Sequence, residues 1–158
     1  MPERQDFIQR LLEELGQFLA EVMKYRRAGS HDAALLTLLH AQERLFVRPV
    51  QEFMTRPVEE QVHLLVLGES DSNARDKCLA YATLLTEVGH TYQAKGQAAV
   101  AQGAYQVALH VVLLTTLRFP PGDQAELRAR IAALLDQLPP DDLNADVKGL
   151  LRQVEGGA

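Results

Sequence analysis

Two Glu-x-x-His pairs are the residues best suited to chemistry: Glu60-Gln-Val-His63 and Glu87-Val-Gly-His90. A three-residue step on a helix puts both side chains on one face. Carboxylate and imidazole together make a common metal-ligand set. In ferritin-like bundles two such pairs, with one Glu from each of two further helices, hold a di-iron centre. Glu14 or Glu21 and Glu43 are the carboxylates available here. Yet the pairs fall on consecutive predicted helices, where ferritin-like chains place another helix between them. The spacing of Val62 and Val66 also turns Val62, not His63, toward a core. A bundle with a metal or small-molecule site at Glu60, His63, Glu87 and His90 is therefore the alternative reading. Ordinary surface His and Glu is the plainer one, and no cofactor is expected.

Cys78 lies near a predicted helix N-terminus, where a thiolate is favoured. No His or Asn setting accompanies it, so it reads as a small buried hydrophobe. As the single cysteine it forms no internal disulfide. His31, His40 and His110 occur singly and carry no motif. No phosphate loop, dinucleotide fingerprint or nucleophile elbow is present. The chain is not expected to be an enzyme.

The formal charge of −5 gives no footprint for nucleic acid. The one dense basic cluster, Lys24-Tyr-Arg26-Arg27, suits a helix C-terminus. The opening residues do not read as a signal peptide, and no apolar run approaches the roughly 20 residues needed to span a bilayer. A cytoplasmic protein without membrane or nucleic-acid partners is expected.

Apolar steps of one, three and four run through most of the chain, and period-two alternation is absent. Leu, Ala, Glu, Gln and Arg favour helices. An all-α domain over residues 1–158 is expected, with about seven helices and a frayed tail at 155–158. Asp6 is the expected cap of the first helix and Asp71 or Ser72 of the long fourth one. Residues 47–58 give no clear pattern.

Two glycines, Gly29 and Gly96, stand 67 residues apart and organise similar surroundings. Tyr25 and Tyr92 precede them by four. Ala34 and Ala101 follow by five, then Leu38 or Tyr105, then Ala41 or Ala108. Leu85, Gly89, Tyr92, Gly96, Ala101, Tyr105 and Ala108 together resemble the tetratricopeptide repeat, a helical hairpin of about 34 residues. The likeness covers 82–115 well and 15–48 in degenerate form, with Val22 where a small residue belongs. It resembles bacterial families built on such hairpins and implies a short right-handed solenoid or bundle that binds protein. In such folds the first helix of each hairpin lines a groove, here Thr83, Thr86, His90 and Gln93 with Arg26 and Arg27. The Lys and Asn clamp of chaperone-binding members is missing. The leading function is a non-enzymatic protein-interaction or scaffold module, with a protein or peptide partner. The apolar first helix suggests homodimerisation, which covers exposed terminal faces. Gly103, inside a predicted helix, is expected to mark a close helix contact.

Gly89 lets the two helices of the second hairpin approach. Gly89→Leu is expected to destabilise by about 1–3 kcal/mol through overpacking. An unchanged thermal midpoint would remove the hairpin assignment.

Overall fold

A computed structural model describes residues 2–47 and 49–156, with side chains from Asp6 onward. Among these residues there is no strand. The helices are α1 (Pro2–Arg27), α2 (His31–Leu45), α3 (Val50–Met54), α4 (Val58–Val66), α5 (Asp71–Ala94), α6 (Ala98–Arg118), α7 (Ala125–Asp136) and α8 (Ala145–Gly156). A 3-10 turn, Pro140–Asp142, precedes α8. The all-α expectation holds, with α3 as the addition, inside the stretch that lacked a clear pattern. Arg48 in that stretch, and Gly157 and Ala158 of the expected frayed tail, lie outside the described residues. Glu155 and Gly156, also assigned to the tail, belong to α8.

Both hairpins close by the same chemistry. Gly29 and Gly96 have φ of 74° and 82°, which L side chains resist. Gly29 N–H donates to Arg26 O and Ser30 N–H to Tyr25 O, at 3.0 and 2.8 Å. Gly96 N–H donates to Gln93 O and Gln97 N–H to Tyr92 O, at 3.0 and 2.9 Å. Each is a Schellman closure that satisfies the last helix carbonyls. The tyrosine four residues before each glycine supplies the carbonyl that its closing bond needs.

Two helix starts differ from expectation. Asp6 lies within α1, which begins four residues earlier with Pro2 in its first turn. Ser70 caps α5, its hydroxyl accepting from Asn73 N–H at 3.2 Å.

Two apolar cores flank α5. Leu11, Leu15, Val22, Ala34 and Leu38 of α1 and α2 close on its Ala80 and Leu84. The opposite side, Cys78, Tyr81, Ala82 and Leu85, joins α3, α4, α6, α7 and α8. Not all of the expected core stripe is buried: Phe7, Leu12 and Met23 of α1 and Leu39 of α2 are exposed. A helix face narrower than the run of apolar residues leaves the surplus outside.

α6 is packed by α4, α5, α7 and α8. Every residue from Ala108 to Thr116 is buried. The Thr115 and Thr116 hydroxyls donate back to Val111 O and Val112 O, at 2.7 and 2.8 Å, so both are satisfied within the helix. Length and composition alone would let α6 cross a bilayer, its best 18-residue window having mean hydropathy 1.4, which corrects the expectation of no such run. Within the fold 56% of that window is buried, as in a core helix.

The α3–α4 excursion is pinned to α5 by one buried network. Tyr81 O–H donates to Gln61 Oε1 at 2.6 Å. Gln61 Nε2 donates to Arg56 O at 2.9 Å. The Tyr81 ring meets Phe46 and Phe53 at 5.6 and 5.5 Å between centroids. Tyr81→Phe leaves the Gln61 oxygen unpaired in the core and is expected to cost about 1–3 kcal/mol. Urea unfolding checks this, and an unchanged midpoint would show that the bond does not anchor the excursion.

Candidate functional site

The Glu-x-x-His residues are not brought together. His63 is exposed, while Val62 is fully buried. Glu60 pairs with Arg56 one turn earlier on the surface. Glu87 accepts from Arg26 of α1 at 2.5 Å, a partly buried pair joining the two hairpins. His90 lies against the Tyr105 ring. Among the described residues no group of three or more His, Cys, Asp or Glu is placed to hold a metal.

Tyr105 is the hub of this region. Its ring packs where Gly89 has no side chain: a Cβ there would sit 2.5 Å from Tyr105 Cε1. Its hydroxyl donates to Gln93 Oε1 at 2.9 Å. His90 Nδ1 lies 2.7 Å from the Tyr105 hydroxyl oxygen. Gln93 Oε1 only accepts, so the single hydroxyl proton goes to it and the Nδ1–H tautomer of His90 completes the set. Burial, then the Glu87 charge, raises the phenol above its ordinary value.

The proposed peptide-groove face is engaged internally. Thr83 and Thr86 hydroxyls donate to Leu79 O and Ala82 O, both at 2.8 Å. Arg130 of α7 donates to Thr83 Oγ1 at 2.9 Å. Gln93 is turned onto Tyr105, Arg26 onto Glu87, and Arg27 is exposed at the end of α1. Thr83, Thr86 and His90 do share one cleft, but α7 lies over it and leaves about 180 Å³. Ligand pockets usually begin near 300 Å³.

A larger site lies on the other side of α5. α2 and α6 both pack on α5 but scarcely on each other. Between them opens a groove of about 770 Å³. Leu84, Val88 and Tyr92 of α5 form its floor, and Met54 of α3 stands at one end. Leu36 and Leu39 of α2 and Val100 of α6 stand exposed on its walls. Its polar members are few: Asp32, engaged with Lys95 at 2.7 Å, Tyr92, and Gln42. Gln42 is buried, and its Nε2 has no hydrogen-bond partner. Gly103 also lines the groove, and a Cβ there would meet nothing within 4 Å. The close helix contact expected at Gly103 is therefore not made within the chain.

Periodicity did not separate the groove from the core, because both are apolar at helical spacing. Two signals were present. Leu35, Leu36, Leu38 and Leu39 are more leucines than one face of α2 can bury. No Asp, Glu, Lys or Arg occurs from 33 to 42 or from 98 to 117.

Cys78 is inert by environment. It sits two turns into α5, past the helix N-terminus, and burial pushes its thiol up to about 11. No family model, curated protein or solved structure matches the chain.

His110 is buried in α6, and its Nε2 has no hydrogen-bond partner. Burial holds its imidazole below the ordinary 6.5, against the pull of Asp146 on α8 and Glu59 on α4. As pH falls below about 6.5 the unfolded chain takes up this proton first, so stability declines until the folded pKa is passed. Above 6.5 the group has no effect. The thermal midpoint is expected to drop between about pH 7 and pH 5, and to drop less in His110→Leu. Identical pH profiles would exclude His110 as the source.

Proposed function

We propose that the chain is a non-enzymatic protein-interaction module of tetratricopeptide-like type. Two features support the likeness: the matched glycine closures of α1–α2 and α5–α6, and the packing of α5 on both helices of the first hairpin. The binding surface in this reading is the α2–α5–α6 groove, not the α5 face beneath α7. One observation carries it: a cleft of about 770 Å³ whose walls expose Leu36, Leu39 and Val100 to solvent. Contiguous exposed apolar surface of this kind marks interaction sites. The residues lining it include no nucleophile and no acid–base pair, so they suit recognition and not bond-making.

A photo-cross-linking residue in place of Val100 is expected to capture a defined protein segment. Leu39→Glu should abolish capture while the far-UV spectrum stays helical. Capture that ignores Leu39→Glu, or that occurs only from position 86, would move recognition away from this groove.

A further inference from the structure

We infer that the occupant of the α2–α6 groove is a second copy of this chain. The inference rests on the groove being a protein-binding surface, and four observations point to the copy.

The first is charge. The molecule carries −5 overall, so identical copies repel on most faces. Among the residues lining the groove only Asp32, ion-paired with Lys95, is charged. Depletion of charge is the compositional mark of an interface core. Two copies can meet there with little like-charge contact. A charged amphipathic helix from another protein would find little on these walls to orient it.

The second is area. A compact monomer of 17.6 kDa exposes about 7,900 Å². This chain exposes 8770 Å². The excess, roughly 900 Å², reflects open clefts between helices such as this groove.

The third is shape. A two-fold interface needs one patch to act as both ridge and groove. On α2, Leu35, Leu39 and Gln42 follow a four-three step along the groove wall. On α6, Val100, Gly103 and Val107 follow a three-four step. These are the spacings of a coiled-coil seam; Leu35 and Val107 pack partly on the two cores, while Leu39 and Val100 stand exposed. α2 is also a ridge, because Leu36 is 53% exposed. An α2 from a second copy presents the same leucines to the same slot.

The fourth is Gly103. A glycine inside a helix costs roughly 0.5–1 kcal/mol against alanine. Gly89 earns its place by admitting Tyr105, whereas Gly103 admits nothing from its own chain. The open space beside it lets another helix approach the α6 backbone.

Sedimentation velocity over a concentration series reads the dimer directly. The wild-type chain is expected at twice 17.6 kDa. Leu36→Glu places a charge in a dry seam and should raise the dimer dissociation constant roughly 100-fold or more. Gly103→Leu is the second variant: it fills the open space, meets no neighbour at Cβ and gains helix propensity. It should fold at least as well by circular dichroism and still lose the dimer. A wild-type chain monomeric at every concentration overturns the proposal. If position 100 then still captures another protein, the groove keeps its recognition role with a different partner. If capture fails as well, both readings fall. A dimer that survives both variants but dissolves in Leu12→Glu lies on α1, which also overturns the proposal.

Discussion

The architecture depends on one close approach, Tyr105 of α6 seated on the bare backbone of Gly89 in α5. A methyl group at 89 would occupy the same space as the ring, so the distance between α5 and α6 is set by its absence. The ring is then held by its hydroxyl, through Gln93 and His90. With α5 and α6 locked together, α5 has one side for the first hairpin and one for the rest of the chain. Both cores form on that shared wall.

The same locking creates the groove. α2 and α6 each take a place on α5, and the distance between those places leaves a slot that neither fills. Val50 and Met54 of α3 complete its lining. The α5 face that carries Thr83 and Thr86 is covered by α7, with Arg130 reaching Thr83.

Much of this could be read from residue order. The glycine closures, the Tyr25 and Tyr92 register, the small residue at 89 and the inward turn of Val62 all follow from local rules. Other features could not. Ser70, not Asp71 or Ser72, caps α5, since neighbouring polar residues compete equally until the chain direction is set. Gly103 looked like Gly89 in sequence, because a glycine's neighbour across space is invisible to spacing. His90 looked like a ligand until Tyr105, fifteen residues away, was placed beside it.

By itself the sequence determined the helical class, both hairpin closures and the steric fit at Gly89, because these rest on contacts within a few turns of the chain. Only the tertiary structure decided which apolar residues are core and which are groove, that α7 covers the Thr83 face, and that the Glu-x-x-His pairs stay apart. Those outcomes depend on the spacing of helices distant in sequence, and a stripe of leucines reads alike whether or not another helix comes to cover it.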